Sequence, residues 1–538
     1  MSLANWLSAD SVAGRRWVVG AFFGLLALLG VALHRDYGVS WDESNNHLNG
    51  LVNLKYLASW LPKSSAIRHH PTFATTPDIR NFQDAHHGPL FEMAVVALNY
   101  VFTDHDSRSY FFLRHLLVFS VFLVGIWALF RLGTYWFRDW RWGLLASALL
   151  VLSPRFFAEG FYNGKDVVYL AFFTLAMYTL TRLLHRPSLK RAALHGLATA
   201  LAIDIRVHGV QLVLFTAVGL ALAYGSSMPP LRGRQLVRVG LLYLLMVAGG
   251  VLAGWPYLWV HSLPELLAVS SHAVRYPWPL TNLYLGKLLP VGQLPWHYIP
   301  VWMVVTIPVP YSLAAAVGLL WALFQGRRQR PLWTSETGRL AILMVLWLLG
   351  PIVLVMLTHT VVYEGWRHLY YVYPALLLWA VQGIQWVSRL GQSAGPLRVV
   401  SRLVLVAAVL ETGHTAWRMV QLHPFQNMYF SFLPGPTAER RFERDYWGLS
   451  YRRGLEWILA NDSARVVTVD THLHFPLYNN LLILPPPDRA RLRYLPDSAR
   501  YYLAAYRWHP QSYLDSLGTE VHTVWAGDIK ILSVFRRR

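Results

Sequence analysis

Apolar runs close to the length of a bilayer crossing recur along most of the chain, with short polar stretches between them. A hydrocarbon core takes about 20 residues of helix. Runs near that length, several of them shorter, lie at 17–33, 110–130, 142–152, 167–184, 192–203, 209–224, 237–258, 298–324, 340–357, 369–387 and 399–410. The pattern predicts a mainly α polytopic transmembrane bundle of about eleven spans. Arg15 and Arg16 precede the first run and no small-residue cleavage site follows it, so it reads as a span and not as a removed signal peptide.

Arginine and lysine set the orientation. With the N-terminus in the cytoplasm, successive inner loops collect Arg131, Arg138 and Arg141, then Arg182, Arg186, Lys190 and Arg191, then Arg232, Arg234 and Arg238, then Arg327, Arg328 and Arg330. This is the positive-inside pattern. It also decides the apolar run 89–102: if that run spanned, every later arginine-rich loop would move outside. It is expected instead to be an interfacial helix within a long first outer loop, 34–109. Beyond about residue 412 no run is long enough to span, and short alternating stretches at 466–469 and 521–525 resemble strands. The expected division is a transmembrane catalytic domain, 1–412, and a small extracytoplasmic α/β domain, 413–538.

Composition agrees. Only 14% of the 538 residues are charged and 55% are hydrophobic, which excludes a disordered chain and leaves too little charge to coat a soluble protein of this size. The net charge of +20 is no nucleic-acid signature, because much of it is the arginine set of the inner loops. No cysteine is present, so disulfides, thiolate metal sites and cysteine nucleophiles are excluded. Acidic residues of the membrane body sort to the opposite side, which topology alone does not require.

Four outer segments carry the candidate chemistry. Asp42 and Glu43 form an acidic pair soon after the first span, expensive near lipid unless used, although a solvated loop pair is the plain alternative. His86, His87, Gly88 and Pro89 open the interfacial helix; on their own they read as a helix start with two exposed histidines. Arg155, Glu159, Lys165 and Asp166 lie in a second outer loop and could simply pair with one another. Asp204 and Arg206 interrupt an apolar stretch, and Glu364, Arg367 and His368 sit between two later spans. Arginine forks beside carboxylates and histidines suit a lipid-borne phosphate with a polar head outside the membrane. The chain has no Walker A loop, Rossmann glycine fingerprint or HExxH motif, so the energy of any reaction must come from an activated substrate in the membrane.

These residues resemble the GT-C class of polytopic membrane glycosyltransferases, in particular bacterial members near the protein O-mannosyltransferases and lipid A aminoarabinose transferases. The resemblance rests on Asp42-Glu43, on His87-Gly88-Pro89-Leu90 (Gly88 standing where the family has a proline), on Ser153-Pro154 at the end of span three, and on a late outer-loop arginine. It covers the layout of roughly residues 15–410. It implies transfer of a sugar from a polyprenyl-phosphate donor to a hydroxyl acceptor at the outer face of a bacterial inner membrane, with inversion. Asp42 would be the general base and Glu43 its neighbour. Arg367 would lead the donor-phosphate residues, followed by Arg206, Arg155 and Lys165, while His87, Asp166, His86, Glu364 and His368 would line the substrates. Asp42 and His87 suit Mg or Mn without demanding either. A lipid-linked sugar flippase or transporter is the alternative reading, and it also places charges at that depth. A structural subunit would leave the acids freely replaceable.

Overall fold

The computed structural model describes residues 12–82, 84, 87–103, 106–225, 233–262, 264–265, 281–328, 334–392 and 395–537. The helices that build the body are α1 (Val12–Leu33), α2 (Glu43–Ala58), α3 (Leu90–Phe102), α4 (Ser107–Phe137), α5 (Trp140–Val151), α6 (Pro154–Tyr162), α7 (Asp166–His185), α8 (Leu189–Ile203), α9 (Gln211–Tyr224), α10 (Gly233–Gly254), α11 (Tyr298–Thr306), α12 (Val309–Arg328), α13 (Glu336–Thr358), α14 (Tyr373–Leu390) and α15 (Pro396–Gln421).

Among the described residues seven helices are long and apolar enough to cross a membrane, and nine if each of two bent pairs counts as one span. The chain is a polytopic membrane protein. Two of the eleven expected spans fall outside this measure of length and composition. Helix α8 has only 15 residues, and α14, though 18 long, carries Gln382, Gln385 and Arg389. Prolines account for the other departures. The run 298–324 is not one helix: Ile307 is extended before Pro308, and α11 and α12 meet at 120°. Pro256 ends α10 at Gly254, short of the expected 258. Ser153, extended before Pro154, bends α5 from α6 by 73°, so the expected second outer loop is largely a buried helix.

Helix α3 has 13 residues, about 20 Å at 1.5 Å each, well short of a hydrocarbon core. It packs on α2, which lies in the same loop. Helices α12 and α14 approach closely through small residues: a Cβ on Gly318 would sit 2.1 Å from the Trp379 carbonyl oxygen, and one on Gly383 2.0 Å from that of Ala314. Helix α15 runs unbroken through residue 412, where the sequence pattern puts the domain boundary, and ends at Gln421.

After α15 the chain forms α16 (Ser450–Asn461), α17 (His474–Leu482) and a five-stranded mixed sheet. A separate hairpin, β1 (Thr281–Tyr284) with β2 (Lys287–Pro290), precedes it in the chain. The sheet strands are β3 (Val467–Asp470), β4 (Leu492–Tyr494), β5 (Tyr501–Ala505), β6 (Thr519–Ala526) and β7 (Ile529–Arg536), in spatial order β4-β3-β5-β7-β6. The strand stretches at 466–469 and 521–525 fall in β3 and β6; β5 gives no alternation because it is central and buried on both faces. One continuous apolar core joins the helical body to this sheet, from Phe161 and Tyr298 to Trp447 and Val534.

Candidate functional site

Five separate parts of the chain meet at one end of the bundle. Asp42 immediately precedes α2; Lys165 and Asp166 stand at the start of α7; Arg206 follows α8; Glu364 and Arg367 follow α13; and Arg507 comes from the loop after β5. Arg367 Nη1 donates to Asp42 Oδ2 at 2.9 Å and to Asp166 Oδ2 at 3.3 Å, and its Nη2 lies 2.5 Å from Glu364 Oε2. Arg206 pairs with the other oxygen of Asp166, and Arg507 with the other oxygen of Glu364. Arg367 also stacks over Trp447 at 4.8 Å, and Arg507 between Trp41 at 4.9 Å and Trp508 at 4.4 Å.

The adjacent acids Asp42 and Glu43 face different surroundings. The Asp42 side chain is 26% exposed. Burial pushes its carboxyl up, but Arg367, Lys165 and Arg206 together hold it below the usual carboxylate range. Glu43 is 0% exposed. It accepts from the Ser40 N–H at 2.6 Å and from Arg114 Nε at 3.2 Å, and lies 3.1 Å from His115 Nε2. Arg114 also donates to Glu92, at 2.9 Å through Nη2. Glu43 therefore sits inside a buried ion network that ties α2, α3 and α4 together.

The cations differ as well. Arg367 is 4% exposed and shared by three carboxylates. Lys165 is only half-buried and has no ion pair among the described residues, and burial pushes its ammonium pKa down. Arg155 is not brought to this cluster: its Nε donates to the Tyr429 carbonyl at 3.3 Å, and its guanidinium lies over Trp302 and Phe430. His368 borders Tyr363 at a ring distance of 4.7 Å, and burial pushes its imidazole well below the usual value. The His87 carbonyl accepts from Asn49 Nδ2 at 3.1 Å. Next to it Gly88 packs against the backbone of Asp204, where a Cβ would come within 2.1 Å of the carbonyl oxygen. His86 lies outside the described residues. Among the described residues no three His, Asp or Glu side chains are arranged to hold a metal ion. No step below uses a metal.

Two groups of site residues have no counterpart in the sequence motifs. One is internal: Arg114 and His115 interrupt an apolar run as Asp204 and Arg206 do, a signal that marks them from sequence. The other is the C-terminal region, which holds the segment leading to Asp42. Asn480 exchanges hydrogen bonds with Val39, at 3.0 and 3.1 Å; Asn479 Nδ2 donates to the Ser40 carbonyl at 2.9 Å; Arg452 Nη1 donates to the Tyr37 carbonyl at 2.8 Å; and the Trp41 N–H donates to the Trp447 carbonyl at 2.9 Å. Glu364, at φ +58°, occupies left-handed backbone, a strained state that Arg367 and Arg507 hold from both sides.

A polytopic helical bundle with a long helical first loop, a polar cluster at one end and a trailing mixed sheet is the GT-C architecture, and the chain has that fold. It is similar to ArnT, a lipid A aminoarabinose transferase, from Cupriavidus metallidurans, solved bound to undecaprenyl phosphate: TM-score 0.52, 12% identity, 97% of this chain and 98% of that one. It also matches the oligosaccharyltransferase of Archaeoglobus fulgidus at TM-score 0.48 and 12% identity, covering 90% of this chain and 65% of the length of that protein. No protein-family profile matches the chain, and no curated protein matches it in sequence.

Proposed function

We propose that the chain is a glycosyltransferase that moves a sugar from a polyprenyl-phosphate donor to a hydroxyl acceptor at the outer face of the membrane, by a single displacement with inversion. The observation that carries this reading is Asp42: a carboxylate open to solvent and held ionised, beside a half-buried lysine without an ion pair among the described residues. The fold shared with a protein solved with undecaprenyl phosphate bound supports the donor class. The arginine-rich loops between spans at the opposite end of the bundle, and the acids gathered at this one, support its outer location.

In this mechanism the acceptor oxygen attacks the anomeric carbon while its proton passes to Asp42. The bond from that carbon to the phosphate oxygen breaks, and the electron pair leaves on the lipid phosphate. Lys165 and Arg206 stabilise the charge that develops there. Arg367 holds Asp42, Asp166 and Glu364 in register and acts mainly by positioning. A donor phosphate placed against Lys165 offsets the cations around Asp42 and so raises the affinity of Asp42 for the acceptor proton. Glu43 keeps α2 in place.

The test uses the purified chain with polyprenyl-phospho-sugars and a pool of hydroxyl acceptors. Release of polyprenyl phosphate with an inverted product is expected, and Asp42→Asn should lower kcat by about 10²–10⁴-fold, the usual share of a general base. Near-normal turnover in Asp42→Asn would remove the base assignment. Movement of donor across vesicles without release of polyprenyl phosphate would favour a transporter.

A further inference from the structure

The opposite end of the bundle carries a second constellation that the transfer reaction does not use. Helix α4 has 31 residues, about 46 Å, so Arg131 and Arg138 lie far from Arg114 and the carboxylate cluster. Helix α7 begins at Asp166 in that cluster and ends at His185; α13 begins at Glu336 and runs toward Glu364. Between these three helix ends is a cavity of about 350 Å³ lined by Arg15, Arg131, Arg138 and Arg182. None of the four guanidinium groups makes an ion pair among the described residues. Arg131 is held over Trp127 and Tyr178, at 5.5 and 5.7 Å. Glu336, the one carboxylate in the lining, is already engaged: it accepts from the Tyr135 hydroxyl, and His185 Nδ1 lies 2.7 Å from the same oxygen.

An adjoining cavity of about 550 Å³ shares Tyr178 and Arg182 with the first and adds Arg186, Lys190 and Arg191, with no acid in its lining. Arg191 Nη1 is fixed by the carbonyls of Arg186, at 2.6 Å, and Arg182, at 3.2 Å. Both cavities have apolar walls, Leu340 in the first and Leu194 in the second, and Leu194 is itself largely exposed.

The positive-inside pattern explains arginines on this side. It does not explain their arrangement around two adjoining cavities whose one acid is already engaged by Tyr135 and His185. Guanidinium groups grip phosphate oxygens bidentately, and basic pockets between membrane helices recognise lipid headgroups. We propose that this end is a binding site for an anionic phospholipid whose headgroup carries two phosphates, one in each cavity, with Arg182 between them and the acyl chains along the apolar surface beside Leu194. The apolar walls and the position of the cavities at the ends of membrane-spanning helices favour a lipid over a soluble phosphate.

The experiment is native mass spectrometry of the delipidated full chain in detergent, titrated separately with cardiolipin, phosphatidylglycerol and phosphatidylethanolamine, with inorganic phosphate and ATP as competitors. Cardiolipin should be retained preferentially. Arg182→Gln should weaken its retention about fivefold, the value of one arginine near a charged headgroup. Arg138→Gln, an exposed residue at the end of its helix, should act in the same direction and serves if Arg182→Gln is unstable. Arg398→Gln, which removes an exposed arginine at the same end but outside both cavities, should change nothing. Equal loss in Arg398→Gln would reduce the effect to general charge attraction and overturn the site. So would undiminished retention in the two cavity variants. Displacement of cardiolipin by millimolar phosphate or ATP would assign the cavities to a soluble ligand instead.

Discussion

Exchanging Glu43 for glutamine separates a structural carboxylate from a reacting one. In the folded protein both oxygens of Glu43 accept: Oε2 from the Ser40 N–H at 2.6 Å, and Oε1 from Arg114 Nε at 3.2 Å, with His115 Nε2 at 3.1 Å. A glutamine of the same shape has one acceptor and one donor. Whichever way its amide is turned, an NH₂ group faces either the Ser40 N–H or the Arg114 Nε–H, with no water to intervene because the side chain is fully buried. A buried donor left without an acceptor costs about 1–3 kcal/mol, more when the donor is charged. Arg114 keeps Glu92, which limits the damage to well below that of an orphaned buried charge. The loss should therefore be about 2–4 kcal/mol of stability, with kcat per folded molecule within about tenfold of normal. Denaturant midpoints of the purified protein in detergent measure the first quantity, and polyprenyl phosphate release normalised to folded protein measures the second. An unchanged midpoint together with abolished turnover would refute the division of roles between Asp42 and Glu43.

Other outcomes follow from the same geometry. Lys165→Met should raise the KM for donor by roughly 10–100-fold, the worth of one charge-assisted hydrogen bond, with a smaller effect on the acceptor KM; steady-state kinetics with each substrate varied decide this. Because the Asp42 carboxyl is held below the usual range, the acid limb of kcat/KM in the free enzyme should fall below the ordinary carboxylate value of about 3.9. The stability that Asp42 contributes is present above that ordinary value and is lost as pH falls through the lower folded value. Lys165, depressed by burial, should bring the basic limb of donor binding below the ordinary lysine value, and Lys165→Met should remove that limb. Arg507→Gln should lower the denaturant midpoint by the equivalent of about 3 kcal/mol and reduce transfer, because Glu364 then keeps only Arg367; Arg507→Lys should restore part of both.

The sites that the sequence marks and the ones it hides differ for physical reasons. Asp42, Lys165, Asp166, Arg206, Glu364 and Arg367 each interrupt or flank an apolar run, and a charge beside lipid is conspicuous in any sequence. Arg507 lies in a normally charged tail, where one more arginine carries no signal, and only the packing of the sheet against the bundle brings it to Glu364. Asn479 and Asn480 are ordinary polar residues of α17 until their contacts with residues 39–41 are seen. The breaks at Pro256 and Pro308 carry a proline signal that the length of the surrounding apolar run outweighs, and the helices nonetheless break there.

Low charge density and arginine placement determined from sequence that the chain is a polytopic bundle with its acids gathered at one end, because the bilayer restricts composition residue by residue. Which acid of the pair faces the open site is another matter. Asp42 and Glu43 are neighbours at the start of a helix, where consecutive side chains point about 100° apart. Their roles are set by what the fold puts on each side: Arg367 and solvent on one, Arg114 and His115 on the other. Those partners lie about 70 and 325 residues away along the chain, and only the tertiary structure brings them together.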